Sequence, residues 1–164
     1  MKLHVVAFGK MKTPGLAESA EYYQRILRPW VQAEVVELKP LQVTDKSPVV
    51  RAKIQEKECE MLLAKLDSLL GSRGAFFLLD ETGKAQTTLQ WADQVRRWEG
   101  ESLPAIAICI GSSLGFSDAM KKKARGLFSL GPQTLPHELA RVVLLEQLYR
   151  AWSVTRGHPY HVEG

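Results

Sequence analysis

The sequence has little cysteine and no long hydrophobic run. Its two cysteines, Cys59 and Cys109, are far apart and form no Cys-x-x-Cys pair, so neither a disulfide framework nor a zinc cluster is indicated. The longest apolar run, residues 103–110, is far shorter than the roughly 20 residues that cross a bilayer. The N-terminal residues lead directly into a strand-like stretch without a signal-peptide cleavage site. We therefore expect a soluble, cytoplasmic protein.

The excess of positive charge is also small. The formal net charge of +4 permits an anionic partner, but such an excess is common among proteins that bind no nucleic acid. Basic residues are most concentrated at 121–125, where four of five side chains are cationic. Such a cluster can bind phosphates or form the solvated end of a helix, and the sequence leaves both open. A chain of 164 residues supports one hydrophobic core, so we expect a single domain at residues 1–164.

Strand-like and helical segments alternate along the chain. Short apolar runs bounded by glycine or turn residues predict strands at residues 2–8, 33–38, 75–79, 103–110 and 126–130. Helical periodicity that starts at proline or serine predicts helices at residues 14–28, 48–70 and 89–98, after Ser117, and at residues 136–155. A turn is predicted at residues 80–83. This alternation predicts an α/β domain with a mainly parallel sheet and helices on both faces.

Ligands of such sheets bind beyond the carboxyl ends of the strands, which directs attention to three loops. These loops follow Leu79, follow Ile110, and span residues 130–135. The second of them is the glycine loop, residues 111–115, with the sequence GSSLG. Glycines there allow close approach of the backbone to a nucleoside, although turn geometry alone would also explain them. The loop matches neither G-x-G-x-x-G nor the P-loop, which counts against a dehydrogenase.

The last predicted helix is apolar on most of its circumference. Its apolar residues are Leu139, Val142, Val143, Leu144, Leu145, Leu148, Tyr149, Ala151, Trp152 and Val154. A helix of this kind is buried on several sides, and in a small chain a second subunit is the economical cover, so we expect a homodimer. Glu146 and Arg150 are spaced i to i+4 on this helix. They form either a functional pair or a helix-stabilising ion pair.

Six short motifs are spread along the chain. They are GKMK at 9–12, LLDETGK at 78–84, IGSSLG at 110–115, LPHELAR at 135–141, EQLYRA at 146–151 and GHPYH at 157–161. In this order, and over essentially the whole chain, they resemble one bacterial family of SPOUT methyltransferases, which modifies N3 of a pseudouridine in 23S ribosomal RNA of the large subunit.

The resemblance implies a fold, a cofactor and partners. It implies a SPOUT-type fold with a deep C-terminal trefoil knot, two subunits that pair through that knot, and S-adenosylmethionine as cofactor. The substrate would be large-subunit rRNA. We expect the assembled ribosome or large subunit to be preferred over free rRNA, because one small domain has little surface for reading a naked sequence. A non-enzymatic ribosome- or RNA-binding protein is the alternative, and it would have no reason to bind S-adenosylmethionine.

The resemblance also assigns cofactor-binding residues. By likeness these are Leu79, Gly111, Leu130, Gly131, Pro132, Gln133, Thr134 and Leu135. Two positions depart from the usual family pattern. Ser112 replaces a common second glycine, which bears on the cofactor contact there, and residues 162–164 replace a terminal cation that relatives commonly carry.

Pseudouridine N3–H is weakly acidic, so the site must remove that proton or stabilise the resulting anion. The candidates lie near the C-terminus: His161 and Tyr160 as proton acceptor or orienting group, Arg150 as cation and Glu146 as its partner. We expect the tail, residues 157–161, to close over the target base. No metal is expected, because two histidines without cysteine or carboxylate ligands are a poor set.

His137 and Arg141 lie at the start of the last predicted helix. We expect His137 mainly to cap the helix or bind its backbone at the first turn. Arg141 is expected to contact either a phosphate or the cofactor loop.

Overall fold

The computed structural model describes residues 1–162 as five parallel strands with helices on both faces. The order of the strands across the sheet is β2-β1-β4-β3-β5. The strands are β1 Lys2–Phe8, β2 Gln32–Leu38, β3 Ala75–Ala85, β4 Ala105–Ile110 and β5 Gly126–Ser129. The helices are α1 Leu16–Leu27, α2 Pro48–Leu70, α3 Thr88–Gly100, α4 Asp118–Lys123 and α5 His137–Thr155. The predicted α/β class with a parallel sheet is confirmed.

The sheet divides the interior into two apolar clusters. Alternate residues of β1 serve opposite faces: Leu3 and Val5 join the cluster formed with α1, α3 and α5, whereas Val6 joins the cluster formed with α2 and α4. Strand β4 is buried along its whole length and contributes Ile108 to the first cluster and Cys109 to the second. A central parallel strand is covered on both faces in this way, as its continuous apolar run predicts.

Helix α5 packs between α1 and α3 on one face of the sheet. Leu144, Leu148 and Trp152 are fully buried there. Much of the apolar circumference is therefore covered within the same chain, while Leu139 and Val143 remain half-buried. Apolarity of this helix by itself does not require a second subunit, so the sequence argument for a homodimer is weakened.

Polar side chains fix the starts of the helices near the carboxyl ends of the strands. The hydroxyl of Ser117 accepts a hydrogen bond from Met120 N at 3.2 Å, which confirms it as the cap of α4. Thr87 and Gln90 form a reciprocal capping box at α3. These caps set where each strand-end loop ends.

Strand β3 continues beyond the point where the sequence predicts a turn at residues 80–83. A register irregularity separates Leu79 from Lys84, after which Lys84 pairs with Phe128 of β5. Only glycine fits at position 83, because a Cβ atom there would lie 2.7 Å from the carbonyl carbon of Phe128. The predicted turn is thus a bulge inside a longer strand, caused by pairing with a strand distant in sequence.

Within residues 1–162, no helix combines the length and apolar character needed to cross a bilayer. Both cysteines are buried and unbonded, and Cys109 lies in the core of β4 as expected.

Candidate functional site

A cavity of about 290 Å³ lies at the carboxyl ends of β3, β4 and β5. Its walls come from the three loops that the strand-end rule selects. All of the predicted cofactor residues except Pro132 line it: Leu79, Gly111, Leu130, Gly131, Gln133, Thr134 and Leu135. The structure therefore brings this set together around one concave space, of a size close to the lower end of small-molecule sites.

Other residues of the cavity are not among the cofactor-binding residues predicted from the sequence, although His137 is predicted as a helix-start residue and Ser112 as a position that bears on the cofactor contact. Asp80 and Glu81 follow Leu79 directly, and His137 and Ala140 lie one helical turn apart at the start of α5. These residues lie next to two of the predicted loops in the sequence, and this proximity is the signal that could have identified them. The further lining residues are Ile110, Ser112, Ser113, Gly115, Phe116 and Ser129.

Two glycines shape the backbone of the cavity. A Cβ atom on Gly111 would lie 3.2 Å from the ring of Phe116, so a side chain at this position would press on the aromatic wall. Gly131 has φ +132°, a conformation that side-chain-bearing residues rarely adopt. The Ser129 hydroxyl accepts from Gly131 N at 3.1 Å and donates to Gly131 O at 2.8 Å. Bare backbone thus faces the cavity in two loops, which suits a ligand held through main-chain groups.

Asp80 is the acidic group with the most defined surroundings in the cavity wall. Burial opposes its ionisation, but hydrogen bonds from the Thr82 hydroxyl and amide and the nearby Lys121 ammonium outweigh burial and lower the pKa of this carboxyl. The Lys121 ammonium lies 3.3 Å from the Asp80 carboxylate. Asp80 therefore carries a fixed negative charge at neutral pH.

The basic cluster at residues 121–125 is divided between structure and solvent. Lys121 pairs with Asp80, and Arg125 pairs with Glu101. Lys122 and Lys123 are exposed at the end of α4. The exposed lysines agree with the solvated end of a helix, and phosphate binding by the cluster stays a prediction.

The four predicted catalytic residues form a second group on α5 and the tail. Arg150 donates to Glu146 Oε1 through Nε at 2.9 Å and Nη2 at 2.6 Å. Its Nη1 lies 3.4 Å from Nδ1 of His161. Tyr160 donates its hydroxyl to Glu146 Oε1 at 3.1 Å, and the Arg150 guanidinium lies 4.7 Å from the centre of the Tyr160 ring. The sequence-based grouping of these residues thus agrees with their positions.

The electrostatics of this group fix the proton on tyrosine. Burial, and then the charge of Glu146, raise the pKa of Tyr160 well above its usual range. The hydrogen bonds to Glu146 raise the pKa of Arg150 as well. At neutral pH Tyr160 is consequently a hydrogen-bond donor and Arg150 a cation.

The tail, residues 157–161, is docked on the helical layer. His158 N donates to Ser153 O at 2.9 Å, and the His158 ring meets Trp30 edge-on at 5.3 Å. Tyr160 meets Tyr149 edge-on at 4.5 Å. Packing against α5 therefore orders the tail within this chain.

The cavity and the catalytic group lie at different places along α5. Within residues 1–162, none of the four catalytic candidates lines the cavity. With a rise of about 1.5 Å per residue, Glu146 and Arg150 lie roughly 9 and 15 Å along the helix axis from Ala140. The catalytic group is therefore separated from the cavity wall by roughly two to three turns of α5.

Arg141 and His137 have different surroundings. Arg141 is buried and donates to Glu37 Oε2 at 2.9 Å and to Gly9 O at 3.0 Å. It thus anchors α5 to the ends of β1 and β2, and its contact with a phosphate or the cofactor loop stays a prediction, since within residues 1–162 its buried Nε has no hydrogen-bond partner. His137 is exposed and lines the cavity.

Within residues 1–162, no group of three or more His, Cys, Asp or Glu side chains is arranged to hold a metal ion.

Comparisons with known proteins extend over nearly the whole chain. A family model described as "Predicted SPOUT methyltransferase" matches residues 1–161. A protein of Natranaerobius thermophilus named "Ribosomal RNA large subunit methyltransferase H" is 36% identical over 165 residues, covering 98% of this chain and 99% of the relative. A protein of Cupriavidus pinatubonensis with the same name is 40% identical over 166 residues, with the same shares of each chain covered.

A solved structure is similar in fold. It is described as a probable methylase family protein from Haemophilus influenzae Rd KW20, with a TM-score of 0.55 and 12% sequence identity. The alignment covers 98% of this chain and 70% of that chain. At this identity the likeness supports the fold alone.

The family match accounts for the parallel sheet, for a cavity at its carboxyl edge and for a methyl donor as the type of cofactor. It also implies the C-terminal trefoil knot that the sequence resemblance predicts. The chain belongs to the SPOUT methyltransferase family.

Proposed function

We propose that the protein uses S-adenosylmethionine to methylate N3 of a pseudouridine in 23S rRNA of the large subunit. The observation that carries this proposal is full-length identity of 36–40% to relatives named "Ribosomal RNA large subunit methyltransferase H". A cavity lined by all but one of the predicted cofactor residues supports it. The proposed location is the cytoplasm, where such a substrate resides.

The residues of the cavity suit this cofactor. Backbone groups of Gly111 and of residues 130–135 would hold the nucleoside part, because glycines leave main-chain donors and acceptors accessible there. The ionised Asp80 provides a negative charge suited to a cationic ligand. When bound, S-adenosylmethionine supplies an electrophilic methyl group on a sulfonium. The protein's own contribution is to position the acceptor nitrogen and to manage its proton.

The catalytic group is suited to that proton. We assign His161 as the acceptor of the N3 proton and Arg150 as the cation that stabilises the imide anion. Glu146 orients Arg150 through two hydrogen bonds to one carboxylate oxygen. Tyr160, held protonated, donates to the same oxygen and covers the guanidinium with its ring. Each side chain is thereby fixed before substrate arrives.

A homodimer would complete the site. Within residues 1–162, no member of the catalytic group lines the cavity of its own chain. A second copy that presents its catalytic group to the cavity of the first resolves this separation. The half-buried stripe of α5 that carries Leu139, Val143, Glu146 and Arg150 is the surface available for such pairing.

The RNA surface would combine exposed cations with surfaces of the assembled ribosome. Lys122 and Lys123 are exposed at the end of α4 and would meet RNA phosphates. The described chain has no separate RNA-binding domain, so a composite ribosomal surface would supply most of the recognition. A non-enzymatic binding protein has no use for the cavity, and family membership does not favour it.

Calorimetry with S-adenosylmethionine, followed by transfer of its labelled methyl group, tests the proposal. We expect micromolar binding and incorporation of label into assembled large subunits. Protein-free 23S rRNA is the matched substrate control and should accept label more slowly. Absence of cofactor binding by the folded protein would contradict the proposal, and equal rates on free rRNA would contradict the preference for the assembled particle.

A further inference from the structure

Helix α2 reaches the glycine loop with two polar side chains. Gln55 Nε2 donates to the carbonyl oxygen of Leu114 at 2.7 Å. The Ser112 hydroxyl donates to Glu58 Oε1 at 2.6 Å. Gln55 and Glu58 are three residues apart and therefore lie on one side of the helix. Both ends of the glycine loop are thus tied to the same helix.

Glu58 is an unusual residue for its position. Glu58 is only 2% exposed, and its neighbours along α2, Cys59 and Leu62, belong to the apolar cluster formed with α2 and α4. Its second oxygen accepts from the backbone amide of Leu41 at 3.0 Å. In the chain from residue 1 to residue 162, no cation forms an ion pair with it. A buried carboxylate without a cation is costly, so its two hydrogen bonds must be well formed.

Ser112 connects Glu58 to the backbone of the loop. While its hydroxyl donates to Glu58, the same oxygen accepts from Leu114 N at 3.2 Å. The Ser112 carbonyl accepts from Gly115 N at 3.0 Å. Ser112 lines the cofactor cavity and also a neighbouring cavity of about 220 Å³, whose wall includes Glu58. A change at Glu58 is therefore transmitted to the cofactor cavity through one side chain.

We propose that Glu58, assisted by Gln55, is a positioning residue that acts through Ser112 to hold the glycine loop in its cofactor-binding shape. The inference rests on the proposed use of S-adenosylmethionine. It gives Ser112 a definite role, because its hydroxyl is the group through which α2 holds the loop. Replacing Ser112 by glycine, which has no hydroxyl, should accordingly impair this protein.

The test measures the affinity for S-adenosylmethionine and the steady-state constants of five variants. Ser112→Ala, Ser112→Gly and Glu58→Gln should each raise Kd and the cofactor KM about tenfold while changing kcat less than about twofold, the pattern of a binding effect. Ser112→Thr keeps the hydroxyl and should restore binding to near the parent value. Glu60→Gln removes a carboxylate from the exposed face of the same helix and should have no effect.

Two further measurements separate positioning from general stability. The double variant Glu58→Gln/Ser112→Ala should bind no more weakly than Ser112→Ala alone, because both changes break one connection. Hydrogen exchange at the amides of Leu114 and Gly115 should accelerate in Ser112→Ala, while exchange in β4 stays unchanged.

Parent-like Kd in folded Ser112→Ala and Ser112→Gly would overturn the inference, as would additive effects in the double variant. A lower melting temperature without a change in Kd would show that the hydrogen bonds among Gln55, Glu58 and the glycine loop stabilise the fold but do not position the loop for the cofactor. In each of these cases the parent protein still binds S-adenosylmethionine. Failure of the parent to bind would instead overturn the proposed function, and the positioning role with it.

Discussion

Replacing Arg150 by lysine tests the catalytic group while keeping its charge. Arg150 makes two hydrogen bonds to Glu146, lies 3.4 Å from His161 Nδ1 and covers the Tyr160 ring. A lysine ammonium is a point charge on a flexible stem and has no planar fork with which to keep these contacts together. Arg150→Lys therefore keeps the positive charge but loses the hydrogen bonds that orient the side chain.

The substitution should have a small effect on the free energy of unfolding and a larger effect on kcat. The Arg150 and Glu146 side chains are 28% and 18% exposed, so solvent screens their pairing and its loss should cost about 1 kcal/mol of unfolding free energy. That corresponds to a melting temperature lower by roughly 2–4 °C. Loss of a preoriented cation at the developing anion should lower kcat at least about tenfold, or ~1.4 kcal/mol, with cofactor affinity unchanged.

The assay is methyl transfer to large subunits at saturating S-adenosylmethionine, with calorimetry and thermal unfolding on the same samples. Arg156→Lys is the matched control, because Arg156 pairs with Glu99 at 2.6 and 3.1 Å near the end of the same helix, outside the proposed site. It should lose similar stability and keep its rate. Full activity of Arg150→Lys, or an equal loss of rate in Arg156→Lys, would refute the reasoning.

Three further predictions concern the cavity, the tail and the dimer. Ala140→Leu places a larger side chain in the cavity wall and should weaken S-adenosylmethionine binding at least about tenfold by calorimetry, ~1.4 kcal/mol, whereas Ala52→Leu on exposed α2 should not. Deleting the chain from His158 onward should lower methyl transfer at least about tenfold while cofactor binding is retained, because Tyr160 and His161 are lost. Light scattering should give a dimer. At a limiting concentration of S-adenosylmethionine, mixing the impaired Ala140→Leu and Arg150→Lys chains should raise the rate above that of either variant, towards about a quarter of parental sites, since hybrid dimers carry one intact pairing.

Each of these has a contrary outcome. Parent-like cofactor affinity in Ala140→Leu would place the cofactor elsewhere. A truncated chain that unfolds or loses cofactor binding would show that docking of the tail on α5 supports the fold. An active monomer, or no recovery on mixing, would show that each chain carries its own complete site.

Local signals predicted most of the fold. Strand Lys2–Phe8 and helix Pro48–Leu70 have the predicted bounds, because Gly9 ends the strand and Pro48 starts the helix through local backbone preferences. The three strand-end loops were identified for a similar reason. Parallel strands have their carboxyl ends at the same edge of the sheet. The loops that follow them therefore lie close together, and this does not depend on how the side chains pack.

Features that depend on pairing across the fold were not predicted. The continuation of β3 through Ala85 needs Lys84 to pair with Phe128, which no local pattern reveals. Glu58 lies in a stretch of charged residues on α2 and resembles a solvated helix face, yet the glycine loop buries it. Likewise, the cover that α1 and α3 give to α5 follows from tertiary packing and not from the helix's own apolarity.

Identification of the methylated nucleoside tests the central claim most directly. Large subunits from cells that lack this protein would be incubated with the pure enzyme and S-adenosylmethionine carrying an isotopically labelled methyl group. Their 23S rRNA would then be digested and analysed by mass spectrometry. We expect one labelled product, 3-methylpseudouridine, which is absent from unreacted subunits. Label in any other nucleoside, or no label from protein that is folded and binds the cofactor, would contradict it.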